Sequence, residues 1–215
     1  RGLSFLPSEE FNHIYQAADQ SLTKIVDLAL QENVDLVLIA GETGQGKSTT
    51  AAATIAYRLK NHASFCLTIE DPVELPLQGF YPNDKNPAMR GVCFQYDVED
   101  FDVVSAIKDS LRCYPSMSNS ILFLGETRDS LMANEVLKIA NNGHLVITTM
   151  HGNDIKGALT RFINLASAAP NANPHDVRLT FSNAFKLLIH QEMEISPITK
   201  QRKIKPQILY SPSSS

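Results

Sequence analysis

Two hydrophobic periods alternate along this chain. Short apolar runs at 34–40, 65–69, 91–96, 121–124 and 145–150 read as strands, and the stretches between them carry apolar residues at helical spacing. That alternation predicts an α/β fold, a mostly parallel sheet with helices on both faces, from position 34 to about 165. Ahead of it, Leu22, Ile25, Val26, Ala29 and Leu30 predict a helical lead-in within residues 1–33. Pro72 forces the chain out of the sheet after the second run, and residues 75–90 read as an irregular surface excursion. The run at 91–96 reads as an edge strand. Asp100 is the expected cap of a helix over 101–113 that turns Val103, Val104, Ile107 and Leu111 inward. Asp129 is the expected cap of the next helix, which carries Met132, Val136, Leu137 and Ile139 and stops at Asn142 and Gly143. Residues 169–215 are expected to form a carboxyl-terminal helical segment and tail. In it, a helix over 175–193 precedes a short hairpin around Ile195 and Ile208, and 211–215 fray.

The segment between the first strand and the first long helix carries the chemistry. Gly41-Glu42-Thr43-Gly44-Gln45-Gly46-Lys47-Ser48 fits G-x-x-x-x-G-K-[ST] at every fixed position, and its strand-to-helix setting makes it a phosphate-binding loop. Glycines let the backbone turn tightly and aim its N–H groups at a polyphosphate. The residues expected to hold the phosphates are Gly41, Thr43, Gly44, Gln45, Gly46, Lys47, Ser48 and Thr49. Lys47 adds a point charge, Ser48 offers its hydroxyl to Mg²⁺, and the following helix turns its positive end toward the same anion.

Composition narrows the setting. A chain of 215 residues that is 43% hydrophobic can bury a substantial core as one domain. No apolar run approaches the roughly 20 residues that cross a bilayer, so any membrane association is expected to pass through partners. The chain opens with Arg1, which suggests a fragment of a longer protein. Cys66, Cys93 and Cys113 are odd in number and widely spaced, an argument against both a disulfide framework and a zinc site and for a reducing cytoplasm. The net charge of −4 gives no electrostatic case for wrapping nucleic acid. Lys200, Arg202, Lys203 and Lys205 read as a solvated turn.

In an open parallel sheet, ligands sit outside the carboxyl ends of the strands. Those ends here carry the phosphate loop, then Glu70, Asp71 and Glu74, then Glu126, then His151. Hydrolysis of a nucleoside triphosphate needs such a set: a phosphate cradle, a bridging metal, a carboxylate for the attacking water and a group that senses the outer phosphate. Glu126 emerges directly after four apolar residues and is expected near the metal with Ser48; His151 closes a strand and suits the sensor. Glu70 is as readily a loop residue as a functional one. Asp129 suits a cap and His144 a structural role, and His13, His62, His175 and His190 are expected to pack within helices.

The ordered set GETGQGKST, TIEDPVE, ILFLGETRD and GHLVITTMHGND resembles the Walker A, Asp, Walker B and His boxes of the type II and type IV secretion ATPases, nearest the pilus-retraction and type IVB or conjugative-transfer branch. The resemblance covers 34 to about 154. It implies a RecA-like core, ATP and Mg²⁺, and a homo-oligomeric motor, a hexamer in full-length form. Such a motor works in the cytoplasm against secretion or pilus platform proteins of the inner membrane. Box by box it implies Glu74 as the catalytic carboxylate that polarises water, Glu126 as the Walker B glutamate and His151 as the His-box sensor. It also implies an amino-terminal PAS-like domain, absent from this stretch, as a source of arginines. The family's usual Gln-Arg pair has Gln95-Tyr96 as its counterpart here, and the zinc-binding cysteines of the assembly branches are missing. A RecA-like DNA translocase and a nucleotide-gated scaffold are the competing readings.

Overall fold

The computed structural model describes residues 36–83, 86, 88–98, 102–114, 119–200 and 202–211. The expected lead-in helix, Asp100 and the last four residues lie outside them. Among the described residues eight strands form one sheet: β1 (Leu36–Ala40), β2 (Phe65–Glu70), β3 (Gly79–Pro82), β4 (Arg90–Asp97), β5 (Ser120–Leu124), β6 (Leu145–Met150), β7 (Phe185–Ile195) and β8 (Arg202–Tyr210). Their order is β3-β4-β2-β5-β6-β1-β7-β8. The six inner strands run parallel, and β3 and β8 close the two edges antiparallel.

The inner strands are apolar on both sides because both faces are covered. One face is built from Leu36, Leu38, Leu67, Leu122 and Val146 and lies under α2 (Val103–Ser110), α3 (Ser130–Asn141), α4 (Ile155–Ser167) and α5 (Pro174–Ala184). Phe162 and Phe181 fill its centre, their rings 5.7 Å apart. On the other face α1 (Lys47–His62) packs Ala51, Ala52, Ile55, Ala56 and Leu59 against Val37, Ile39, Ile121 and Ile147. Small alanines bring α1 down onto the sheet so closely that a Cβ at Gly91 would lie 2.3 Å from the carbonyl oxygen of Leu59.

Four sequence expectations are corrected here. The irregular stretch 75–90 contains β3, and Leu77 and Tyr81 anchor it in the core, so β4 is an inner strand. The cap of the 101–113 helix is Asp102, whose carboxylate accepts from the Val104 N–H at 3.0 Å, and the helix ends at Ser110 before a 3-10 turn, Leu111–Cys113. The carboxyl-terminal helix stops at Ala184. From Phe185 the chain is strand, and β7 pairs with β1 while β8 folds back on β7, so the short hairpin is a long one. The apolar triplet Leu187-Leu188-Ile189 fits a helix and a doubly covered strand equally well, and the open side of β1 decides. Of the basic cluster, Lys200 lies in the turn, its N–H donating to Ser196 O at 3.0 Å, whereas Arg202, Lys203 and Lys205 stand on β8, with Lys205 paired to Glu194 at 3.0 Å.

Asp129 caps α3 as expected, its carboxylate accepting from Met132 N–H at 2.9 Å. His144 is structural, bonded to Ser120 Oγ at 2.7 Å with its ring centred 5.0 Å from that of Tyr114 and tilted to it by 40°. Burial depresses its imidazole pKa. The three cysteines are free thiols, Cys66 and Cys93 buried and facing each other in register on β2 and β4.

Gly91→Ala is expected to lower stability by about 2–3 kcal/mol, since backbone lies where the methyl must go; urea denaturation measures it. The lowered His144 pKa means that this residue favours the folded state when neutral. Its contribution is present above the unfolded histidine value of about 6.5 and is lost as pH falls through the folded pKa, so the acid-induced drop in melting temperature should shrink in His144→Gln.

Candidate active site at the carboxyl edge of the sheet

Residues 41–46 link the end of β1 to the start of α1. Gly44 and Gly46 adopt left-handed backbone angles, φ +77° and +80°, and Gly46 caps α1 with no side chain in the way. A residue with a Cβ would strain the backbone at both turns, and the space beside Gly44 is open. Lys47 is buried beneath it, and its Nζ donates to the carbonyls of Gly41 at 3.1 Å and Glu42 at 2.8 Å. Burial lowers its pKa, and the charges of Glu126 and then Glu74 act in the opposite sense. Two of the expected carboxylates are thus electrostatic neighbours of the expected phosphate lysine.

Glu126 is placed by backbone bonds on both sides. Gly125 N–H donates to Ile69 O at 3.0 Å and Thr127 N–H to Thr149 O at 2.8 Å, so the segment is strapped between β2 and β6. Thr149 Oγ1 donates to Gly125 O at 2.6 Å. Glu126 then reaches an imidazole and a guanidinium: His151 Nε2 lies 3.1 Å from Oε1, and Arg128 Nε donates to Oε2 at 2.7 Å. His151 itself follows the last residue of β6.

A cleft of about 780 Å³ joins these parts. Thr43, Gly44, Gly46, Lys47, Ser48 and Thr49 line one side, and Glu70, Asp71, Glu74, Glu126, Arg128 and His151 the other. Of the phosphate-loop residues expected from sequence, Gly41 and Gln45 stand off the lining. Gly41 lies against β7, where a Cβ would be 2.6 Å from the Gln191 carbonyl oxygen. The Gln45 side chain turns the same way, its Oε1 accepting from Met193 N–H while Gln191 Nε2 donates to the Gln45 carbonyl at 2.6 Å. Glu70 is neither cap nor solvated: it is buried, and burial raises its pKa against hydrogen bonds from Thr68, Gln95 and the Glu74 backbone.

Sequence reasoning passed over four participants. Arg128 could have been found two residues after Glu126. Met193, which reaches the cleft from β7, and Gln191, which braces the loop, had no local signal because their stretch reads as helix, and Arg202, which reaches it from β8, reads as part of a solvated turn. His190, expected in a helix, is on β7, and its Nε2–H donates at 3.1 Å to the carbonyl of Gly152, next to His151.

The donor set fits Mg²⁺ with an anionic nucleotide. Four carboxylates, Glu70, Asp71, Glu74 and Glu126, share the cleft with one lysine, the Ser48 hydroxyl and a glycine loop whose left-handed turns a Cβ would strain.

The sequence is 31% identical over 176 residues to the type IV pilus ATPase PilU of Pseudomonas aeruginosa, covering 81% of this chain and 42% of PilU. Among solved structures, the pilus retraction motor PilT with bound ADP superposes with a TM-score of 0.70 at 26% identity, over 89% of this chain and 51% of PilT. The ATPase DotB of Legionella pneumophila superposes with a TM-score of 0.73 at 20% identity, over 88% of this chain and 49% of DotB, a likeness of fold. The chain thus spans about half the length of these relatives or less. The family model for "Type II/IV secretion system protein" matches residues 8–208, so the chain belongs to the type II/IV secretion system protein family.

Proposed function

We propose that this chain is the motor domain of a secretion or pilus ATPase and hydrolyses ATP with Mg²⁺ in the cleft between the glycine loop and Glu74, Glu126 and His151. One observation carries the reading: a buried lysine of a phosphate loop shares its cleft with two carboxylates and an imidazole from three separate loops. The loop N–H groups and Lys47 bind the outer phosphates, where charge grows as the terminal phosphoryl is transferred. The Ser48 hydroxyl and the Glu126 carboxylate would hold Mg²⁺, which would supply positive charge against that of the outer phosphates. Glu74 orients the attacking water and takes its proton as the water oxygen bonds to the γ-phosphorus; the bond to the β,γ-bridging oxygen breaks, leaving ADP and phosphate.

His151 is the sensor. It and Arg128 both pair with the Glu126 carboxylate, so a change of charge at the outer phosphate is felt on two loops at once. Further arginines come from an amino-terminal domain or a neighbouring subunit, and the working form is a homo-oligomeric ring, a hexamer. The ring acts on the cytoplasmic side of the inner membrane through platform proteins. Among the described residues no helix is long and apolar enough to cross a membrane, consistent with recruitment through partners. The secretion and pilus names of the relatives support this reading over a DNA translocase.

Three outcomes follow. Lys47→Ala should cut hydrolysis by about 10²- to 10³-fold, the usual cost of losing a preorganised donor at developing charge, and wild-type turnover in that variant would end the reading. Glu126→Gln should lower kcat and weaken the Mg²⁺ dependence, read from turnover across a magnesium titration. Chelating Mg²⁺ should abolish turnover and its return should restore it, whereas metal-independent hydrolysis would contradict the assigned role of Ser48.

A further inference from the structure

Gln95 stands on β4, a strand that carries none of the proposed catalytic groups, yet its side-chain amide is fully engaged. Nε2 donates to Glu70 Oε1 at 3.1 Å and to the Leu75 carbonyl at 2.9 Å. Oε1 accepts from the N–H groups of Leu77 and Gln78, the latter at 2.7 Å. A glutamine amide has two donor hydrogens and two acceptor lone pairs, so all four are used.

The partners share a purpose. Leu75, Leu77 and Gln78 belong to the segment 71–78, which has neither helix nor strand and so lacks ladder partners for its backbone. The fourth partner, Glu70, also accepts from the backbone N–H of Glu74. Glu74 is thereby bracketed, with Glu70 gripping its own amide and Gln95 gripping the residues just after it. Register supplies the placement: Gln95 pairs with Thr68, two residues before Glu70, so the two side chains share a face of the sheet. Leu77, buried against the α1 face, ends the segment in the core.

We propose that Gln95 is a positioning residue that fixes the 71–78 segment so that the Glu74 carboxylate stands over the cleft. The inference rests on the reading of Glu74 as the carboxylate that orients water. No other residue type of this length offers two donors and two acceptors in one plane. A methionine would leave both N–H groups without their acceptor, and a glutamate would keep the two acceptor bonds while setting a second carboxylate against Glu70.

The test uses the full-length assembled protein with Mg²⁺ and ATP. In Gln95→Met, kcat should fall by about 10- to 100-fold, the scale of a misplacement near 1 Å, while KM for ATP stays close to wild type because the glycine loop is untouched. Hydrogen–deuterium exchange should speed up at the Leu77 and Gln78 amides. Gln95→Glu, which retains those two bonds, should show slower exchange there than Gln95→Met and a smaller loss of kcat, and it serves if the methionine variant does not fold. Adding Gln95→Met to Glu74→Gln should cost nothing more, since both act through one carboxylate. Wild-type kcat in the Gln95 variants, a matched rise in KM, or additive losses would overturn the proposal. Glu74→Gln separates the levels: if it alone leaves turnover intact, the reading of Glu74 falls first; if it lowers turnover sharply and Gln95→Met leaves kcat at the wild-type value, only the positioning role falls.

Discussion

Parallel pairing of β1, β2, β5 and β6 is the constraint on which the site depends. Parallel strands point their carboxyl ends the same way, and the register keeps those ends level: Ala40 faces Met150, Leu124 faces Thr148 and Ile69 faces Leu124. The glycine loop, the Glu70–Glu74 segment, Glu126 and His151 are therefore the next residues of neighbouring strands. A slip of one residue in β5 would send Glu126 to the opposite face. Burial on both faces prevents that slip, because every side chain of β1 and β6 is enclosed. The core thus sets stability and the alignment of the chemistry at once.

Within that frame, electrostatics decides what the cleft can hold. Lys47 is bonded to its own loop and lies near Glu126 and Glu74, while Glu126 is shared between His151 and Arg128. Carboxylates crowd one wall and donors the other, an arrangement that suits an anion accompanied by a divalent cation better than either alone. The supports lie outside the motifs: the side chains of Gln191, Gln95 and His190 and the backbone N–H of Met193. Gln191 and Met193 hold Gln45, Gln95 holds the segment after Glu74, and His190 holds the carbonyl of Gly152.

Much of this was legible in the sequence. The inner strands, α1, α3 and the capping by Asp129 follow from period and punctuation, and the glycine loop and the Glu126 and His151 positions follow from the motif order. The carboxyl-terminal hairpin was hidden because Leu187-Leu188-Ile189 is an apolar run without a strand's alternation, and what makes it a strand is a vacant edge of β1 some 150 residues earlier in the chain. β3 was hidden by Pro82 within it and Pro76 just before it; its pairing with β4 and the burial of Tyr81 are long-range facts. For the same reason Gln95 had no visible task, as its four partners are set by the register of β4 on β2.

The most direct measurement is a crystal structure of this chain with Mg²⁺ and a non-hydrolysable triphosphate nucleotide. The outer phosphates should lie on the glycine loop against Lys47, the metal against Ser48, and the carboxylates of Glu74 and Glu126 and the imidazole of His151 should all point at the terminal phosphate or its metal. A nucleotide bound with its phosphates away from residues 41–49, or with those three side chains turned to another edge of the sheet, would contradict the account.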